Sequence, residues 1–203
     1  MILYLEPECR VTEEIQSSLN PPPPAIFRAY DIRGVVDQQL NADNIELIGQ
    51  SIGSEAINAG ISELLVARDG RLSSPVLSRA LIAGLRSSGV NVVDLGMVPT
   101  PLMQFAAHTT HLNSGVMLTA SHNPAHYNGI KAVFRRSPLT ERQIAAIRTR
   151  IEKQTLRRGH GSYGTLEIQH RYVSKVLQRV RLLRPLRIVV DCGNAVAAVV
   201  APD

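Results

Sequence analysis

Ser121 and His122 stand side by side in "MLTASHNPAHYNGIK", residues 117–131, with Lys131 ten positions after the serine. A hydroxyl, an imidazole and an amine on one short stretch can accept a group, move a proton and steady negative charge. The serine follows an apolar run, Gly115 to Leu118, and precedes two turn signals, Asn123-Pro124 and Asn128-Gly129. Such turns can hold a loop so that it presents a hydroxyl outward. The same spacing also suits a serine that only caps or turns, and the residues alone leave both roles open. No G-x-S-x-G elbow is present, which weakens an ester-hydrolase reading.

Two further stretches concentrate polar groups. "RAYDIRG", Arg28 to Gly34, carries two arginines, a tyrosine and an aspartate. Arginine suits bidentate phosphate contact, and it equally suits a surface pair with Asp31. "ARDGRLSS", 67–74, ends an apolar run and opens a helix, so Arg68, Asp69 and Arg71 can orient other groups or simply build a capped turn. The pairs His108/His111 and His122/His126 lack a third ligand nearby, and Pro124 breaks the second. A histidine-bound metal is therefore not expected. Neither G-x-G-x-x-G nor G-x-x-x-x-G-K-[ST] occurs, which argues against dinucleotide and P-loop chemistry.

Placing these groups requires a scaffold. Asn41 or Asp43 can cap a helix ending at "NAG", 58–60. "ELLVA" (63–67) reads as a strand, and Ser73, Ser74 and Pro75 read as a hydroxyl-capped helix start running to about Ser87. Strands follow at 90–96, 115–118 and 130–134, with helices at 99–111 and 140–154, the latter capped by Thr140. Alternating strands and helices predict βαβ units: a three-layer α/β/α domain with a mixed, largely parallel sheet, spanning 25–158. Ligands of such sheets bind at the carboxyl ends of strands, where Ser121 falls.

Residues 1–24 end in "NPPPP" and read as a loosely attached leader with a stiff extended end. "RRGHGSYG", 157–164, reads as a linker. A helix at 169–183 and a strand in "LRIVVDCGNA", 186–195, predict the start of a second, similar domain over 165–203. A buried strand needs neighbours, and none follows.

Bulk properties narrow the class. The chain has 203 residues, 44% hydrophobic, enough to bury one real core. No apolar run approaches the roughly 20 residues that cross a bilayer, and the start does not resemble a signal peptide. The two cysteines, Cys9 and Cys192, are far apart and form no metal or disulfide pattern. The expectation is a cytoplasmic protein with reduced thiols. Net charge is +5 but uneven: up to residue 130 there are 7 basic and 12 acidic residues, and from 131 to 187 there are 15 and 3. That basic segment can attract phosphates, although aromatic residues for stacking nucleic acid are scarce, which disfavours nucleic acid as a partner.

Taken together, "FRAYDIRG", "ARDGRLSSP", "VPTP", "GVMLTASHNPAHYNGIK" and "VVDCGNAVA" occur in the order seen in bacterial phosphomannomutase/phosphoglucomutase, of the α-D-phosphohexomutase superfamily. The resemblance covers residues 25–203. It implies that Ser121 is carried as phosphoserine and exchanges phosphate with a hexose phosphate, mannose or glucose. Phosphate then moves between C1 and C6 through a hexose 1,6-bisphosphate. It implies proton transfer by Lys131, His122 close to the phosphoserine, phosphate contact by Arg33, and Tyr30 lining the site. It implies magnesium bound to the Ser121 phosphate and to three aspartates of a D-G-D-G-D loop.

That loop is not found here, nor are the sugar-selecting and phosphate-clamping loops of later domains. Relatives carry four domains round one cleft, and this sequence matches the first and the opening of the second. Ala195 and Ala120 stand where glycine is common in the family. By itself the chain is expected to be a poor mutase or none, with hexose phosphates and domains II–IV of the same enzyme as its partners. The alternative is an interaction module without catalysis.

Overall fold

The structure is a computed structural model that describes residues 21–193 and 195–202. The expected leader lies outside the described residues as far as Asn20. Pro23 is extended, and Pro24 opens a 3-10 turn, Pro24–Ile26, that buries Ile26 completely.

The elements run β1 (Ile32–Val35), α1 (Ala42–Asn58), β2 (Glu63–Arg68), α2 (Ser74–Ser87), β3 (Asn91–Met97), α3 (Thr100–Thr109), β4 (Gly115–Leu118), β5 (Tyr127–Phe134), β6 (Ser137–Pro138), α4 (Glu141–Glu152), β7 (Tyr163–Thr165) and α5 (Gln169–Leu177). The strands form one mixed sheet, ordered β1-β5-β4-β2-β3-β7, with β6 paired to β5. β2 is parallel to β3 and β4 because helices α2 and α3 return the chain to the same end of the sheet. No helix joins β4 to β5. That short connection, 119–126, can only turn back, so β5 runs antiparallel to β4 and β1. The loop that carries Ser121 is thus a hairpin connection on an otherwise βαβ plan.

Strand alternation sorts the side chains into two layers. Leu64, Val66, Val116, Leu118, Ile130 and Ala132 face α1, α2 and α4. Leu65, Ala67, Met117 and Val133 face α3. With both faces covered, these strands read as continuous apolar runs. Consecutive helices on opposite faces create a switch point at the carboxyl ends of β2 and β3, where a crevice opens.

Helix ends follow the expected chemistry with one exception. The Asn41 side chain accepts from the Asn44 amide at 2.8 Å, capping α1. Asn41→Ala should therefore lower stability by about 1 kcal/mol in urea unfolding. Thr140 and Gln143 form a reciprocal capping box on α4. Ser73, expected to cap α2, makes no cap bond. Its hydroxyl instead accepts from Asn128 Nδ2 at 2.9 Å, since a buried amide without a partner costs more than an open cap.

α1 and α2 approach so closely that a Cβ on Gly84 would lie 2.0 Å from the Glu46 carbonyl oxygen. Gly84→Ala should force the helices apart and cost about 1–3 kcal/mol, read as a lower midpoint in the same unfolding assay.

Residues 157–164 do not behave as a free linker. Gly159 and Gly161 donate their amides to Ser87 and Arg86 carbonyls at 2.7 and 2.9 Å, and Tyr163–Thr165 continues the sheet beside β3. A Cβ at Gly161 would lie 1.7 Å from the Val90 carbonyl oxygen, so this glycine permits contact instead of supplying flexibility. The Tyr163 hydroxyl donates to Asp94 at 3.1 Å, and partial burial together with that carboxylate raises its pKa above the ordinary phenol value.

Beyond β7, α5 is shorter than expected and docks on α3 through an edge-to-face contact of Tyr172 with Phe105, centroids 5.4 Å apart. The strand expected within 186–195 is not formed among the described residues. Ile188, Val189 and Val190 are 67%, 98% and 63% exposed. A strand takes its hydrogen bonds from a neighbour, and none lies beside this one. The chain then makes a 3-10 turn, Val196–Val199, whose last carbonyl accepts from Gln169 Nε2 at 2.9 Å.

Candidate active site

The β4–β5 connection is built around a backbone that resists its own side chains. Ser121 has φ +57°, a left-handed conformation that is costly for residues with a Cβ. Its amide donates to Thr119 Oγ1 at 3.0 Å, and the Asn123 amide donates to the Ala120 carbonyl at 3.1 Å. These bonds close a tight turn with the Ser121 side chain on its outside, exposed to solvent. The hydroxyl has one side-chain neighbour, His122 Nδ1, at 3.4 Å.

Arg71 holds this turn from within. Its Nε donates to Asp69 at 3.2 Å, Nη1 to the Pro124 and Tyr127 carbonyls at 2.7 and 3.0 Å, and Nη2 to the Ser121 and Asn123 carbonyls at 3.0 and 2.7 Å. All five guanidinium N–H groups are thereby spent, three of them on the serine loop and one on Tyr127 at the start of β5. The clamp has its own foundation. Asp69 accepts from the Arg71 amide at 3.1 Å and from Ser74 Oγ at 2.6 Å. Fully buried Asn128 donates to Ser73 and Ser74 at 2.9 and 3.1 Å. One polar network therefore joins the end of β2, the start of α2 and the start of β5, and it fixes Ser121 among them.

Arg33 reaches the same loop from β1. Its guanidinium donates to Asn123 Oδ1 and pairs with Asp31, while its Nε is buried without a partner. Lys131 lies on β5 opposite Met117, half-buried, with no hydrogen bond or ion pair among the described residues. Tyr30 is 76% exposed and does not line the cleft. Of the residues singled out in the sequence, the structure joins Ser121, His122 and Arg33 through one loop. Lys131 stands on the adjoining strand β5, and neither it nor Tyr30 is among the residues that line the cleft.

The cleft before Ser121 encloses about 630 Å³, a size that suits a small ligand. Asp69 to Leu72 line one wall, Thr119, Ser121 and Asn123 another, and Gly193, Ala195 and Val196 close it from the C-terminal segment. In the first histidine pair, His108 bonds the Gln104 carbonyl and His111 lies 3.9 Å from Glu63. Among the described residues no three His, Cys, Asp or Glu side chains group as a metal site. These residues do not complete a magnesium cage.

Arg71, which the sequence presents only as part of a capped turn, is the residue that organises the serine loop. The signal was there: an arginine two residues past a strand-end aspartate can curl back on that carboxylate. Its four carbonyl acceptors, in contrast, lie 50 or more positions away.

Residues 24–158 match the model of the phosphoglucomutase/phosphomannomutase α/β/α domain I. The chain is 49% identical over 181 residues to phosphomannomutase/phosphoglucomutase of Pseudomonas aeruginosa, covering 89% of this chain and 39% of that protein. Against phosphoglucomutase of Neisseria meningitidis serogroup B it is 39% identical over 178 residues, covering 87% and 39%. The crystal structure of a phosphoglucomutase/phosphomannomutase family protein from Burkholderia thailandensis superposes with a TM-score of 0.85 at 44% identity, covering 88% of this chain and 41% of that one. The chain thus spans about two fifths of the length of the relatives it matches. Within that span, the match to the domain I model and the identity to these mutases show that the chain belongs to the phosphoglucomutase/phosphomannomutase family.

Proposed function

We propose that Ser121 is the phosphate carrier of a phosphohexomutase that moves phosphate between C1 and C6 of a hexose phosphate, mannose or glucose, through a 1,6-bisphosphate. One observation carries the reading: an exposed hydroxyl on a left-handed turn, gripped by Arg71 and facing a cleft at the carboxyl ends of β2 and β4.

Phosphoryl transfer asks for positioning and charge stabilisation more than for a strong nucleophile. Ser121 Oγ forms the new O–P bond as the bond from phosphorus to the sugar oxygen breaks. The serine proton passes to His122 or Lys131, and the departing sugar oxygen takes up a proton. Arg33 and Lys131 steady the charge spreading over the transferring group. Tyr30 lines the site only when substrate or a further part of the protein covers it. Magnesium, when bound, neutralises charge on the phosphoserine oxygens. The described residues offer it that phosphate and no cluster of their own, so no step here runs through it. We place the work of the whole enzyme in the cytoplasm, where hexose phosphates and domains II–IV meet this domain.

The test is a single charging reaction. Incubated with glucose 1,6-bisphosphate and magnesium, the chain should take up one phosphoryl group and release one hexose monophosphate per molecule, without sustained turnover of glucose 1-phosphate. Release that continues unchanged in Ser121→Ala overturns the assignment.

A second reading has its own observation. Leu183 and Val189 are 104% and 98% exposed in the segment 182–190, where exposed apolar side chains alternate with Arg184 and Arg187, which suits a chain that acts by association. Solubility that depends on a co-expressed C-terminal portion, with no phosphate uptake, would favour it.

A further inference from the structure

The arginines of this chain are unequally engaged. Arg71, Arg33 and Arg150 are bonded to carboxylates, and Arg135 is bonded to a backbone carbonyl. Arg68, Arg79 and Arg86 make no bond to a carboxylate among the described residues. They line a separate cavity of about 370 Å³ on the outer side of α2, against β3 and β7. Arg79 and Arg86 lie seven residues apart on α2, two turns along one face. Arg79 makes no hydrogen bond or ion pair among the described residues. Arg86 gives only its Nε, to the Gly161 carbonyl at 2.9 Å. Arg68 gives one long contact of 3.4 Å to the carbonyl of its own neighbour. Ser78 adds a hydroxyl to the wall.

The one carboxylate in the cavity, Asp94, faces β7: it accepts from Tyr163 at 3.1 Å and from the Gly96 amide at 2.8 Å. No described ion pair neutralises any of the three guanidinium groups. Three guanidinium groups against one carboxylate leave the lining with an excess of positive charge, which favours an anion there.

We infer that this cavity is a second anion site that takes a small phosphate ester. Guanidinium forks match phosphate oxygens two at a time, and the volume falls in the range of small-ligand sites. The site is distinct from the Ser121 cleft. Arg68 and Asp69 are neighbours at the end of β2, yet the first lines this cavity and the second lines the cleft. The inference rests on these arginines and not on the mutase reading.

Inorganic phosphate is the probe. It is titrated into the 203-residue chain at constant ionic strength while arginine resonances are followed by NMR. A saturable response at Arg79 and Arg86 is expected. R79A/R86A should weaken phosphate affinity at least about tenfold, and R79K/R86K should fall between, keeping charge but losing the forks. Ser121→Ala should leave the affinity unchanged. Both arginines are exposed on the helix, so the variants should fold, which circular dichroism verifies. A response linear in phosphate, an affinity equal in R79A/R86A, or loss of binding in Ser121→Ala would overturn the proposal.

Discussion

Ser121→Ala should abolish phosphoryl uptake from glucose 1,6-bisphosphate, by at least about a thousandfold, while the fold survives. The loss follows from chemistry: no neighbouring group replaces the hydroxyl as acceptor, and loss of a nucleophile is among the costliest single changes in an active site. The survival follows from geometry. The loop is held through the Ser121 amide and carbonyl, which alanine keeps, and the hydroxyl's one hydrogen-bond partner among the described residues is His122. Circular dichroism and urea midpoint should be unchanged within about 0.5 kcal/mol. Alanine and serine share the same discomfort at positive φ, so the backbone term cancels.

Arg71→Ala should be the second most damaging change, and it should damage two things. Removal of the guanidinium leaves three loop carbonyls and that of Tyr127 without their donor, and Asp69, only 7% exposed, without its cation. Loss of a partner from a part-buried charged network costs about 3 kcal/mol. The released turn no longer holds Ser121 at φ +57°. Misplacing an acceptor by about 1 Å costs roughly a hundredfold in transfer rate. Arg71→Lys separates the two effects. It keeps a charge beside Asp69 but has three donors where five are used, so it should recover stability more than rate. Equal recovery of both would show that Arg71 stabilises the fold without positioning the serine.

Parts of this arrangement were legible in the sequence because they depend on neighbours in the chain. Asn41 before a helical pattern, Thr140 three residues before Gln143, and apolar runs at 63–67 and 115–118 each carry a local physical signal. The serine loop was legible by resemblance. By spacing alone it remained a turn, because a hydroxyl poised for chemistry and one that caps a loop have the same neighbours.

What was not legible depends on distant contacts. Gly159 and Gly161 look like flexible linker residues, yet they serve close approach to Ser87 and Val90, more than 65 positions earlier. The apolar run at 188–190 has the composition of a strand, but composition cannot supply the neighbour that a strand must pair with. Arg71 reads as part of a simple turn until the fold brings three carbonyls of the serine loop and that of Tyr127 round it.

The central claim is that Ser121 itself receives the phosphate. The most direct test is peptide mass mapping of the chain after charging with glucose 1,6-bisphosphate. The account predicts one phosphoryl group per chain, on the peptide containing Ser121, and none on that peptide in Ser121→Ala. Phosphate on a different residue, or an uncharged Ser121 in a correctly folded chain, would contradict it.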